Sequence, residues 1–180
     1  MDAGQPLIEE HRLIERMLAL FSKVLRQIET SGQVDPYFVD TAFDFICMYA
    51  DRAHHGKEEE LYFKALESKN LTADHRRIMG ELIHEHSLGR KLTAALVEAN
   101  KRYRSGDATA LDIIRSSLQN LVIHYPKHIE KEDKLFFPAA RQYLSDSEHK
   151  DLLDAYREFD SRLIHEKYLL TVEHLEHEIK

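Results

Sequence analysis

The chain has little of what interrupts helices. It contains 6 glycines, 4 prolines, one cysteine and no tryptophan among 180 residues. Leu, Glu, Lys, Arg and Ala recur at helical spacing, so this composition predicts an all-α protein. The single cysteine, Cys47, excludes an intrachain disulfide, and between Ile46 and Met48 it is expected to be a buried thiol. The lack of cysteine ligands also argues against a structural zinc site or an iron–sulfur cluster.

An excess of positive charge and long apolar runs are absent as well. The net charge is -7 and no basic stripe is present, which argues against nucleic acid or anionic lipid as a partner. The longest apolar run, residues 45–50, is far shorter than the roughly 18 residues needed to span a bilayer. The opening residues lack the features of a signal peptide. We therefore expect a soluble cytoplasmic protein that folds as one domain over residues 1–180.

Turn and capping residues divide the chain into five helical segments. The breaks fall at residues 31–36, 68–72, 105–107 and 144–147. The short connections predict an up-and-down four-helix bundle over about residues 5–143, with an additional fifth helix over about residues 146–178. Expected helix caps are Asp35 before Pro36, Thr72, and Ser145 with Glu148.

The unusual feature of the composition is its 12 histidines. An internal repeat, HHGKEEELYF at 54–63 and HIEKEDKLFF at 128–137, aligns His54 with His128 and Glu58 with Glu132. A His and a Glu four residues apart lie on one face of a helix. Both pairs continue apolar stripes that are expected to face the core. His11 in the first helix and His86 in the third also lie on core-facing stripes. The stripe of His11 includes Leu7, Ile14 and Leu18, and that of His86 includes Met79, Leu82 and Leu96.

These histidines are also predicted to lie at one level of the bundle. Residues of antiparallel helices are level when their midpoint falls in the connecting turn, and this holds for His11 with His54, His54 with His86, and His86 with His128. Four buried imidazoles and two carboxylates without a cation would leave uncompensated polar groups and charges. Two metal ions bridged by Glu58 and Glu132 remove that penalty. Iron suits such ligands, and zinc or manganese remain possible.

The other histidines are expected outside the ligand set. His55 shares its face with Arg52 and Glu59, so we expect it on the surface or behind the ligands. His84 and His124 lie on polar faces and are expected to be solvated. The remaining candidates for ordinary surface positions are His75, His149, His174 and His177.

The order His, HxxxE, His, HxxxE over residues 8–139 resembles the hemerythrin-like, HHE cation-binding family. The resemblance implies a non-haem di-iron centre held by His11, His54, Glu58, His86, His128 and Glu132. Oxygen-carrying hemerythrins have a fifth histidine one turn along the third helix, but here the positions four residues either side of His86 are Leu82 and Arg90. His165 of the stretch HEKY is a candidate replacement, because its midpoint with His128 falls in residues 144–147. Tyr168 is a weaker candidate.

The resemblance further implies that the chain binds or senses O2 or a related small oxidant, NO or peroxide. Three alternatives stay open. The first is a di-iron redox enzyme of the peroxidase, nitric oxide reductase or iron–sulfur repair type, since an open coordination position would permit turnover. The second is a metal storage or delivery protein, and the third is a structural bundle with incidental histidines.

Overall fold

A computed structural model describes the backbone over residues 2–178, and the side chains over residues 2–163 together with Lys167. Within that part of the chain the regular structure is entirely helical, which confirms the predicted all-α class. Five helices follow one another: α1 at Gly4–Ser31, α2 at residues 36–67, α3 at Ala73–Arg104, α4 at residues 110–143 and α5 at Asp146–Glu178.

Two of the helices change their winding along their length. Helix α2 begins as an α-helix at Pro36–Asp44, continues as π-helix at Phe45–His55 and Glu58–Phe63, and ends at Lys64–Glu67. Helix α4 runs through Ala110–Lys131, a π-helical stretch at Glu132–Phe136, Phe137–Ala140 and a final 3-10 turn at Arg141–Tyr143. Single π-helical turns inside longer helices frequently occur at functional sites.

The helix starts have the capping residues predicted from the sequence. Asp35 accepts a hydrogen bond from the backbone N–H of Tyr37 at 3.0 Å, and Thr72 accepts one from the third residue of α3 at 3.2 Å. At the start of α5, Ser145 and Glu148 exchange hydrogen bonds in a capping box. These contacts satisfy backbone donors that have no partner inside the helix.

Each of the first four helices packs against two of the other three. Helix α1 contacts α2 and α4, and α3 likewise contacts α2 and α4. Helix α5 lies against the two π-helical stretches of α2. The described part of the chain contains no helix with the length and hydrophobicity of a membrane span.

The apolar core consists of two clusters. One includes Phe21, Leu96 and Leu118, and the other includes Leu7 and Phe136. Along each of the first four helices, buried polar residues lie between the positions that belong to the two clusters. The fold therefore encloses a polar layer between two apolar layers.

Candidate metal centre

The polar layer is formed by seven buried side chains from four helices. None of them is more than 3% exposed. The six residues that the sequence predicts for helices α1 to α4 are all present, together with one more histidine. The seven are His11 on α1, His54, His55 and Glu58 on α2, His86 on α3, and His128 and Glu132 on α4.

Their ligand atoms form two groups that could each hold a metal ion. One group consists of His11, His54, Glu58 and Glu132, and the other consists of His55, His86 and His128. Within each group the ligand atoms lie within 4.8 Å of one another. The arrangement offers imidazole nitrogen and carboxylate oxygen, which are ligands suited to iron, zinc and manganese.

The two carboxylates connect the groups. Glu58 lies with one oxygen 3.3 Å from His54 Nε2 and the other 3.3 Å from His86 Nε2. Glu132 lies with Oε2 3.2 Å from both His11 Nε2 and His128 Nε2, and with Oε1 3.6 Å from His86 Nε2. Each carboxylate therefore faces histidines of both groups.

Each of the five histidines is held from behind by a carboxylate at Nδ1. Because a carboxylate accepts hydrogen bonds, Nδ1 donates, and Nε2 is the nitrogen left to face the centre. The Nδ1 distances are 2.7 Å from His11 to Asp133, 2.9 Å from His54 to Glu10, 3.3 Å from His55 to Asp51, 2.7 Å from His86 to Glu59 and 2.9 Å from His128 to Glu85.

Cationic side chains in turn pair with these outer carboxylates. Arg90 is 2.7 Å from both Asp51 and Glu59, and so contacts the carboxylates behind His55 and His86. The other pairs are Arg12 with Asp133, Lys57 with Glu10, and Lys131 with Glu85. The outer carboxylates are therefore charge-compensated. For Glu10, Glu59 and Glu85 the hydrogen bonds and nearby cationic side chains outweigh burial, and the pKa of each carboxyl is lowered.

The centre perturbs the protonation of its own histidines. Burial opposes protonation of His11, but its hydrogen bond with Asp133 and the adjacent negative charge of Glu132 outweigh burial and raise the pKa of the imidazole to about 10. Burial and the neighbouring charge of His86 lower the pKa of His55 well below its ordinary value. Without metal, protons on some of the imidazoles thus balance the buried carboxylates.

Several polar atoms at the centre have no hydrogen-bond partner. These are Nε2 of His11 and His54 and both carboxylate oxygens of Glu58 and Glu132. Nε2 of His86 and His128 also face each other at 3.1 Å, although both rings already donate through Nδ1. Buried polar atoms without a partner are costly, and metal ions held by these side chains would remove that cost. The residues present therefore fit a metal centre.

The expectation that His55 lies on the surface is wrong. Its side chain is 3% exposed, and its ring stacks on His86 with centroids 3.9 Å apart. It belongs to π-helix Phe45–His55. Because a π-helix has more residues per turn than an α-helix, the angle between successive side chains is smaller. His55 is thus a fifth histidine of the buried polar layer and a candidate ligand. Arg90, one turn beyond His86 on α3, instead supports His55 and His86 through their carboxylates.

The structure also corrects the description of other histidines. His149, expected on the surface, is 2% exposed; its Nδ1 accepts from the backbone N–H of Ala3 at 3.1 Å. His124 is half-buried rather than solvated, with Nε2 3.0 Å from the Glu85 carbonyl oxygen. His84 is exposed as predicted. The predicted ligands His165 and Tyr168 lie outside the described side chains, as do His174 and His177.

A cavity of about 120 Å³ borders the centre on the His55 side. Cys47, Thr93 and Tyr125 are among the residues that line it. Cys47 is therefore half-buried at a cavity wall rather than packed in the core as predicted. Burial raises the pKa of its thiol to about 11, so the thiol is protonated at neutral pH.

Histidines and carboxylates from four helices converge in the buried interior of this helical protein. Such an arrangement defines a candidate metal protein of the helical-bundle class. The family model described as "Hemerythrin HHE cation binding domain" matches residues 5–140. The chain belongs to this family of cation-binding domains.

Relatives include the uncharacterized protein Rv1995 of Mycobacterium tuberculosis and the uncharacterized protein Mb2018 of Mycobacterium bovis. Each is 24% identical over 160 residues, which cover 89% of this chain and 62% of the relative. The chain thus spans less than two thirds of the length of these relatives. No solved structure matches the chain.

Proposed function

We propose that the chain is a non-haem di-iron protein that binds or senses O2 or a related small oxidant such as NO or peroxide. The observation that carries this proposal is the position of Glu58 and Glu132, each of which faces histidines of both ligand groups. Two such carboxylates between two sets of histidines are suited to a pair of ions rather than to one.

Iron is the metal proposed because the ligands are imidazole and carboxylate and no cysteine is among them. When bound, an iron pair supplies redox change and exchangeable coordination positions for a small ligand. His11 and His54 would hold one ion and His55, His86 and His128 the other. Zinc and manganese are the alternatives that metal analysis must exclude.

The proposed arrangement of the first four helices is an up-and-down bundle with α5 as an addition on its outside. The short connections between successive helices support this arrangement, since they favour antiparallel neighbours. The contacts of α1 and α3 with both α2 and α4 support it as well. In this arrangement the five histidines meet at one level.

Deep burial argues for a resident metal centre rather than for metal storage or delivery. The seven candidate ligands are at most 3% exposed. Metal exchange from such a site requires several helices to separate, whereas a delivery protein must release its cargo readily. The cavity beside His55 is instead large enough for a diatomic molecule or a few waters.

Absorption spectra of the iron-loaded protein test the proposal. Anaerobic protein is exposed to O2, returned to argon, and in parallel treated with NO and with peroxide. The proposal predicts spectral changes on addition, with reversal under argon if O2 is simply bound. Steady consumption of peroxide or NO would instead favour the redox enzyme. No spectral response from protein that retains its iron would contradict the proposal.

A further inference from the structure

Lys57 differs from the other cations behind the ligand histidines. Its side chain is 3% exposed, whereas those of Arg12, Arg90 and Lys131 are 52%, 41% and 23% exposed. A buried ammonium group is stable only if anionic partners surround it. Lys57 has two such partners, Glu10 on α1 and Asp160 on α5.

These side chains form a continuous path from α5 to the centre. The Nζ atom of Lys57 is 3.0 Å from a carboxylate oxygen of Asp160 and contacts Oε1 of Glu10. The other oxygen of Glu10, Oε2, is 2.9 Å from His54 Nδ1. Glu10 is therefore shared between the buried lysine and a candidate metal ligand.

The packing of α5 on α2 brings Asp160 to this position. Residue 56 is a glycine, and a Cβ there would lie 2.8 Å from Cζ of Phe159, so only glycine permits the observed approach. The Tyr156 ring lies 6.0 Å from Lys57 Nζ and is buried, with 4% exposure. Asp160 follows these packed residues along the same helix.

We propose that Asp160 is a positioning residue for the metal centre and that it acts through Lys57 and Glu10 on His54. The inference rests on the proposed function, because it assumes that His54 binds metal. With Asp160 present, Lys57 is held between two carboxylates, and Glu10 remains oriented toward His54 Nδ1. Without the Asp160 charge, Lys57 depends on Glu10 alone and competes with His54 for that carboxylate. The ion held by His11 and His54 is then bound less firmly.

Iron release to a chelator tests this role. The full chain is loaded with Fe(II) under anaerobic conditions, and loss of each ion is followed after addition of excess chelator. We expect Asp160→Asn to release one of the two ions about tenfold faster, which is the lower end of the effect of removing partners behind metal ligands. The second ion should leave at the rate found for the unchanged chain.

The matched control is Asp154→Asn on the same helix. Asp154 is 57% exposed and pairs with Arg157, away from Lys57. This variant removes an equal charge from α5 and should release both ions at the unchanged rate. Equal acceleration in the two variants would overturn the inference, because the effect would then follow from the charge of α5 rather than from the contact with Lys57.

Two further variants separate positioning from a general loss of packing. In a Lys57→Met background, Asp160→Asn should have no additional effect, since the path is already broken; an undiminished effect would overturn the inference. Should Lys57→Met fail to fold, Asp160→Glu serves instead. This variant keeps the negative charge at position 160 and should keep iron release slow. Fast release from Asp160→Glu equal to that from Asp160→Asn would overturn it.

The proposed function and this inference fail in different ways. If the unchanged chain binds no iron, the proposed function fails and the inference fails with it. If the unchanged chain binds two irons and Asp160→Asn releases both at the same rate as that chain, only the inference fails.

Discussion

Each candidate ligand histidine is fixed at one ring nitrogen and left open at the other. Nδ1 donates to a carboxylate, and for His11 and His54 the inner nitrogen, Nε2, has no hydrogen-bond partner. A hydrogen bond of this kind selects the tautomer and the ring orientation, and it raises the basicity of the nitrogen that binds metal. The outer carboxylates are thus as much part of the site as the histidines.

His55 is the residue whose replacement most directly tests the ligand set. Replacing His55 with alanine removes one of three imidazoles from its group, so we expect the chain to lose one of two metal ions. Metal content measured by elemental analysis after desalting checks this result. The control is His84→Ala, which changes an exposed histidine and should leave both ions in place. Retention of both ions by the His55 variant would show that His55 is not a ligand.

The sequence could predict the positions of His11, His54, His86 and His128 because helix periodicity and the turn midpoints are local properties of the chain. It could not predict His55, because neighbouring residues of an α-helix point about 100° apart and cannot both face one site. The π-helical winding that brings His54 and His55 together depends on packing between helices. The burial of His149 could not be predicted either, because it depends on packing of α5 against the distant residue Ala3.

At the scale of the helices, the three π-helical stretches hold four of the seven candidate ligands. His54 and His55 lie in Phe45–His55, Glu58 begins Glu58–Phe63, and Glu132 begins Glu132–Phe136. Neither glycine nor proline marks these stretches in the sequence, apart from Gly56 between two of them. The capping residues, by contrast, act on their immediate neighbours, which explains why they could be predicted.

Two glycines, one at the end of a helix and one inside a helix, should respond in opposite ways to replacement by alanine. Gly32 ends α1 with φ +66°, a conformation that is strained for residues with a Cβ, so Gly32→Ala should lower the free energy of unfolding by about 1 kcal/mol. Gly80 lies exposed inside α3 with open space around it, so Gly80→Ala should raise the free energy of unfolding by about 0.5 to 1 kcal/mol.

Urea unfolding of the metal-free variants measures both effects. Opposite signs for the two substitutions are the expected result. Stabilisation by Gly32→Ala would contradict the assignment of the end of α1.

For the whole molecule, the buried charges couple folding to metal and to protons. In the metal-free chain, protonated His11 balances the carboxylates around it, and its pKa is raised to about 10 because its hydrogen bond with Asp133 and the charge of Glu132 outweigh burial. Metal binding requires the same nitrogen without its proton, so metal and protons compete for the site. We therefore expect the stability of the folded chain to depend either on bound metal or on protonation of His11.

The pH dependence of unfolding checks this coupling. A histidine whose pKa is higher in the folded chain stabilises that chain fully below the unfolded value of about 6.5, and the stabilisation is lost as pH rises toward 10. The metal-free chain should therefore lose stability between pH 7 and pH 10 in urea unfolding. The metal-loaded chain should lose less over this range, because metal replaces the protons. A metal-free chain with constant or rising stability would contradict the account.

The most direct test of the central claim is an anaerobic titration of the metal-free chain with Fe(II), followed by its absorption spectrum and by elemental analysis. The account predicts that binding ends at two irons per chain. It also predicts that Glu132→Ala or His54→Ala reduces this number by at least one and lowers thermal stability, because metal binding contributes to folding. Saturation at one iron, or two irons retained by both variants, would contradict a dinuclear centre at these residues.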